Sequence, residues 1–391
     1  MSELNPFLSA SLADDVYALT RLDTLNDAFD FLNVLHGENF TFSKDNLLKG
    51  KTGGPGFIKC RTAFGFMLIG KGQYAGHAVI LFRGTQYLAD WLSNFNFDLS
   101  RSSYAHPVHD GFNRAFKSML PQLKEFMSYL LKLNIVEIHC IGHSLGGALA
   151  TLAAEWMHNA YCKKPYLYTF GSPRVGLLDF SESCVRKLDA SRIFRMYHQT
   201  DIVPFLPMWP FIHTPNEAYS YCLPSPGPIP WKTYHSMKKY VNSAIKRGWG
   251  NLGIKPEVNS EEQISIWLKS YSPIGLTIKS LNMLSSAISY VINKCDPNAS
   301  RMISSMCNSS FSILDKLSYI LYSGYDLVSG ASSLVVSLIR KMMQMVGYHG
   351  QIESINLTQQ FIRFILVRLH EKVSQIARSA IDETLAKGRG I

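Results

Sequence analysis

Residues 142–146 read Gly-His-Ser-Leu-Gly, and they stand at a change of pattern in the chain. The residues before them, VEIHCI, alternate and are rich in strand formers, whereas LGGALATLAAEW after them is a run of small and apolar helix formers. A serine at such a strand-to-helix turn is a nucleophile elbow: the tight turn lifts its Oγ clear of the backbone. Gly142 and Gly146 carry no Cβ that would block so close an approach of strand and helix. The helix beginning at Leu145 directs its N-terminal N–H groups and positive dipole end at the same point, where a developing oxyanion could be held. The chemistry this prepares is attack by Ser144 on a carbonyl carbon.

A serine hydroxyl is a weak nucleophile by itself and needs a base, and the base needs a third group to fix its tautomer. With this turn the order along the chain is Ser, then Asp or Glu, then His. Asp201 follows the apolar strand RIFRMY and precedes Ile202-Val203-Pro204, where the chain must turn, so its carboxylate points to the same edge as the elbow. Asp179 and Glu182 are weaker candidates, since they fall at an exposed helix start. Two histidines compete for the base. His235 lies after the proline-rich loop CLPSPGPIPW and just before a helix, on a segment able to reach over Ser144. His213 is nearer to Asp201 and has Glu217 within local reach, which suits a structural hydrogen bond better.

The elements that must position these groups follow from periodicity. Residues 8–36 have helical spacing, with Leu12, Val16, Leu19 and Leu22 on one face. Residues 57–69 and 76–83 read as two strands joined through Gly70-Lys71-Gly72, a hairpin turn rather than a dinucleotide fingerprint. Leu88, Trp91, Leu92 and Phe95 fall at i, i+3, i+4 and i+7, a short amphipathic helix just past a strand end. A long helix spans 109–133, and 166–170 and 193–197 are further strands with a helical segment between them. Strands alternating with helices predict an α/β fold with a mostly parallel, helix-covered sheet.

From about residue 255 the strand pattern stops. Ile278, Leu281, Leu284, Ile288 and Val291 mark one helix. Ile362, Leu366, Leu369, Val373, Ile376 and Ala380 step by four and three along another, a heptad-like seam flanked by Arg363, Arg368, Lys372 and Arg378. The reading is a catalytic domain over 1–254 and an all-helical domain over 255–391, either a helix bundle or a membrane-contacting, regulatory module. Residues 317–339 are long enough to span a bilayer but contain Asp326, two glycines and many serines, which argues against a transmembrane helix.

With 391 residues, 47% of them hydrophobic, the chain can bury a large core. The net charge of +10 is diffuse, without a Lys/Arg block or nucleic-acid motif, which excludes nucleic acid as the expected partner and suits a lipid surface. Seven cysteines without C-x-x-C spacing predict neither a disulfide framework nor a zinc site. The N-terminus, MSELNPFLSASLADDVYAL, lacks the basic start and apolar core of a secretory signal. Synthesis as a reduced cytoplasmic chain is expected, with any action outside the cell requiring a dedicated export system.

GHSLGG, FRGT with its Trp-bearing amphipathic segment, HDGF, TFGSPRVG (169–176), DIVPFLP (201–207) and a late HSM together resemble the class 3 lipase family of α/β-hydrolases. The match runs over roughly 57–243, in the family's order. The resemblance implies an α/β-hydrolase fold and makes Ser144, Asp201 and His235 the triad, leaving His213 structural. It places Thr85 and Leu145 at the oxyanion hole and makes residues 86–97, with Leu88, Trp91, Leu92 and Phe95, the lid. His198 departs from the family's usual Asn, Leu177 from another, and the loop before His235 is short. The expected activity is hydrolysis of lipid esters without cofactor or metal, at a membrane or lipid interface, with A1-type cleavage of phospholipids favoured. A triacylglycerol lipase, a small-ester esterase, or an inactive membrane-binding protein are the alternatives. Bacterial members with these features are often exported effectors or toxins, for which a cognate inhibitor, immunity protein or chaperone is an expected partner.

Overall fold

The computed structural model describes residues 3–52, 60–85, 98–215, 220–227, 230, 232–254, 259–305, 307, 312–328, 330–348 and 357–386. At its centre is one mixed sheet. Strands β1 (Phe40–Thr41), β2 (Leu47–Thr52), β3 (Cys60–Gly70) and β4 (His77–Phe82) form its antiparallel side. From β4 onward the pairing is parallel: β4 pairs with β7 (Glu137–His143), then come β8 (Tyr166–Phe170), β9 (Ile193–His198) and β10 (Ser220–Leu223). A separate hairpin, β5 (Leu99–Arg101) and β6 (Pro107–His109), follows the residues beyond β4. Parallel neighbours need crossovers on a face of the sheet. Helices α4 (Asp110–Leu130), α5 (Leu145–Tyr161) and α6 (Leu178–Leu188) supply those between β4 and β9. This is the expected α/β-hydrolase architecture.

Alternation along the strands divides the apolar interior in two. Ala78, Ile80, Phe82, Ile138 and Cys140 face α4 and α5. Val79, Leu81 and Ile141 face the other way, onto the N-terminal residues and α7 (Met237–Ala244). The N-terminal stretch is not one helix over 8–36. It breaks into α1 (Pro6–Asp15), α2 (Ala18–Arg21) and α3 (Leu25–His36). The second break has a local cause, because Thr24 and Asp27 form a capping box that starts a new helix. That Thr-x-x-Asp signal was present in the sequence. The break after Asp15 turns Tyr17 inward, where it is 5% exposed.

Beyond residue 254 the described chain is helical: α8 (Glu261–Lys269), α9 (Ile278–Cys295), α10 (Ala299–Ser304), α11 (Ile313–Leu327), α12 (Ser332–Val346) and α13 (Gln359–Ala386). Leu284, Ile288, Leu317, Leu338, Leu366 and Leu369 are buried, and they join the same apolar core as α4, α5 and the Leu206–Phe211 segment. Among the described residues no helix is long and apolar enough to cross a membrane.

Candidate active site

The carboxyl ends of four adjacent parallel strands place the groups singled out above along one edge of the sheet, where α/β folds gather their ligands. Arg83, Gly84 and Thr85 leave β4, Ser144 leaves β7, Gly171 leaves β8, and Asp201 follows β9. His235 arrives from the far side on a short 3₁₀ turn, Lys232–His235, ahead of α7.

Ser144 has φ 57° and ψ −129°, a backbone state costly to any side-chain-bearing residue. The turn is held because its neighbours have no side chains: a Cβ on Gly142 would lie 2.0 Å from the Gly146 carbonyl oxygen, and one on Gly146 2.1 Å from that of Phe82. The Ser144 N–H donates to the Phe170 carbonyl at 3.0 Å, which locks the elbow to the next strand.

His235 bridges the other two groups. Its Nδ1 lies 2.9 Å from Asp201 Oδ2 and 3.1 Å from Oδ1, and its Nε2 lies 2.9 Å from Ser144 Oγ. A carboxylate only accepts, so Nδ1 carries the proton and Nε2 presents its lone pair to the serine hydroxyl. All three side chains are buried, at 3% exposure or less. Asp201 is further fixed by the Val203 N–H at 3.0 Å and the Tyr240 hydroxyl at 2.6 Å. Burial foremost, and then the Asp201 charge, hold the Tyr240 phenol well above its ordinary range, so it stays a donor. Gly171, at φ 52°, leaves the room this needs: a Cβ there would stand 2.7 Å from Asp201 Oδ2 and 3.1 Å from His235 Nδ1. His198, the departure from the family pattern, is buried against Tyr234 and Tyr240, with ring centroids at 5.0 Å and 4.7 Å. It thus packs on the residue preceding His235.

Sequence reading missed a chain of hydrogen bonds behind the elbow. The Gly84 N–H donates to the Tyr17 hydroxyl oxygen at 2.9 Å, and that hydroxyl lies 2.7 Å from His143 Nδ1. His143 Nε2 lies 2.8 Å from the His235 carbonyl oxygen. The carbonyl can only accept, so Nε2 carries the ring proton, Nδ1 accepts, and Tyr17 donates to it. Every direction in the chain is thereby set for a neutral His143. Burial above all, with the nearby His235 next, pushes its pKa well below the ordinary 6.5. The relay ties the loop bearing Thr85 to the backbone of His235 through a residue more than a hundred positions upstream of either histidine. A periodicity argument sees Tyr17 only as one more position in a helix.

The remaining expectations sort clearly. Thr85 is buried beside the elbow, for a Cβ on Gly84 would already lie 2.9 Å from Ser144 Cβ. Leu145 opens α5, so its N–H belongs to the first turn, which has no intrahelical acceptor. Leu88, Trp91, Leu92 and Phe95, the expected lid, lie outside the described residues. His213 is not at the serine: its Nε2 lies 3.4 Å from Arg174 Nε and 3.3 Å from Arg195 Nη2. Asp179 and Glu182 are exposed on α6. Among the described residues no three His, Cys, Asp or Glu side chains gather as a metal site.

Residues 79–211 match the family model described as lipase (class 3). Over those residues the chain is similar to class 3 lipases. Over 150 residues it is 35% identical to the secreted mono- and diacylglycerol lipase 1 of Fusarium solani, covering 36% of this chain and 43% of that protein. Over 237 residues it is 27% identical to phospholipase A1-II 1 of Oryza sativa subsp. indica, covering 53% and 58%. The chain thus spans about half the length of these curated relatives. Among solved structures, it aligns with the lipase of Rhizopus microsporus var. chinensis at a TM-score of 0.40 and 20% identity, over 53% of this chain and 70% of that one.

Two outcomes are expected. Tyr17→Phe removes the middle of the relay and strands the buried Gly84 N–H and His143 Nδ1; each unsatisfied group costs about 1–3 kcal/mol. Thermal unfolding of the variant should begin several degrees lower, and an unchanged midpoint would refute the relay. The second outcome concerns pH. Burial lowers His109 and His139 to about 3, and lowers His143 and His213 well below 6.5. The folded state therefore refuses protons that the unfolded chain takes up below pH 6.5, so this stability is complete above 6.5 and is lost as pH falls from there toward 3. Each histidine contributes a slope of about 1.4 kcal/mol per pH unit in that window. Denaturant titrations at pH 7.5, 6 and 5 should show stability level at first and then falling steeply; a flat profile contradicts the buried neutral state.

Proposed function

We propose that this protein is a class 3 lipase, a serine ester hydrolase acting on lipids, with Ser144 the nucleophile, His235 the general base and acid, and Asp201 the group that orients it. The observation that carries the reading is the single imidazole hydrogen-bonded at 2.9 Å to both a strained serine and a buried carboxylate. In this mechanism His235 takes the serine proton as Oγ attacks the ester carbonyl. The backbone N–H of Leu145 and the N–H and hydroxyl of Thr85 hold the oxyanion, and His235 then protonates the leaving alcohol. Water, activated by the same histidine, releases the fatty acid. No step requires a metal or cofactor. Losing one preset oxyanion donor typically costs about 3 kcal/mol of barrier.

For substrate, we favour phospholipid with A1-type cleavage over triacylglycerol. The diffuse charge of +10 supports it, because cations near an anionic lipid surface contribute about 1 kcal/mol each. The two relatives above, one named for mono- and diacylglycerols and the other for phospholipase A1, keep a neutral-glyceride lipase as the second reading. Residues 1–254 would then carry the catalytic apparatus, and 255–391 a regulatory or membrane-contacting role. Export as an effector, with a cognate inhibitor, immunity protein or chaperone as partner, fits an enzyme able to attack its own cell's membrane.

Ser144→Ala should reduce fatty-acid release by about 10⁴-fold or more while leaving the unfolding midpoint near that of the parent. Hydrolysis that survives this substitution would sink the enzyme reading. In a paired assay, phosphatidylglycerol vesicles should lose sn-1 fatty acid faster than a triglyceride emulsion; equal or faster turnover of the triglyceride overturns the substrate choice.

A further inference from the structure

Asp201 and His235 both sit on loops, yet the geometry they provide must hold to within about 0.5 Å. Loops lack the internal ladders that would fix them, so something must hold them from outside. The C-terminal helices meet both. The turn Lys232–His235 packs directly on α13. The segment after Asp201 is stiff and short: the Val203 N–H returns to the Asp201 carboxylate, and the Phe205 N–H donates to the Ile202 carbonyl at 3.0 Å. It runs into Trp209 and Phe211, which form one wall of a small apolar cavity. Ile288 of α9, Leu317 of α11, and Leu366 and His370 of α13 form the other. Arg174, just past β8, adds a polar tie: its N–H donates to the Leu206 carbonyl at 2.7 Å, and its Nη1 to the Ser285 hydroxyl of α9 at 3.2 Å.

We infer that Leu366 and Leu317 are positioning residues for the catalytic base and its carboxylate. Resting on the assignment of Ser144 as nucleophile, the inference gives the helices after residue 254 a defined task. They grip the Trp209–Phe211 wedge and the His235 turn together, so that packing in the bundle sets the distance from the imidazole to the serine. A shorter side chain at 366 or 317 leaves space beside the wedge, and the wedge relaxes into it. Movement there is passed along the short 203–206 segment to Asp201 and, through its hydrogen bonds, to His235.

The test uses the full chain with p-nitrophenyl butyrate, a soluble ester that needs no lipid surface, and counts working sites by titrating Ser144 with a fluorophosphonate. Leu366→Ala should lower kcat per titrated site by about tenfold, within the range a displaced catalytic group commonly costs, while KM changes by less than about twofold. The acid limb of its kcat–pH profile should shift, and the volume-conserving Leu366→Met should restore both. If kcat per titrated site equals the parent's although the unfolding midpoint falls, the bundle is only packing and the inference is wrong. Should Leu366→Ala fail to fold, the milder Leu317→Val decides in the same way: a lower kcat per site supports the inference and an unchanged one overturns it. A parent enzyme that does not react with the fluorophosphonate overturns the nucleophile assignment itself, an outcome visible before any variant is made.

Discussion

The hydrogen bond from the His143 ring to the carbonyl oxygen of His235 joins two stretches 92 residues apart and needs the ring proton on Nε2, while the bond from Tyr17 needs a lone pair on Nδ1. Burial enforces that state by making the imidazolium costly. The residue preceding Ser144 therefore also anchors the backbone of His235. The imidazole of His235 is aimed from its other end by Asp201, and the serine is held up by the glycines on either side of it. Take away the neutral His143 and each of these contacts survives locally, but the backbone of His235 loses its tie to the elbow. The arrangement is an instance of the general need to lock a reactive group through the partners of its partners.

The two faces of the sheet share this work. On one, α1, α2 and α7 cover Val79, Leu81 and Ile141, and through Tyr17 they reach the loop after β4. On the other, α4 and α5 carry the elbow helix into a core that continues into the bundle beyond residue 254. Each contributes stiffness at one point of the carboxyl edge, where strand ends alone would leave loops to find their own positions.

Much of this was legible in the sequence because it is local. The elbow needs glycines two positions either side of one serine, a strand before and a helix after, and all of that is written in twelve residues. Asp201 stood out because the order of functional groups along such a sheet leaves few acidic candidates, whereas preferring His235 to His213 rested on the resemblance to class 3 lipases. Periodicity failed where an interruption was small. The capping signal at Thr24 and the turn at Tyr17 were hidden inside a spacing that still looked helical over 8–36. Strand β10 went unnoticed because four residues between proline-rich stretches carry little pattern. The seam on α13 was visible as a seam, with Leu366, Leu369 and Val373 at regular steps, but a stripe says only that it is covered and not by what. That Trp209 and Phe211 lie against it depends on contacts more than a hundred residues apart in the chain, which no window of sequence contains.

The packing of α13 on the Lys232–His235 turn also bears on how the molecule comes into being. A ribosome delivers Tyr17 first, the elbow next, His235 later, and α13 after all of them, and domains tend to fold as they emerge. The sheet and its crossovers can form while the final helices are still unsynthesised, but contacts this distant in sequence must wait for their partners and for the closure of long loops. The nascent chain thus passes through a period in which serine, aspartate and histidine have all been made and the last support of the histidine has not. Full order at the carboxyl edge is therefore reached only once α13 has been made.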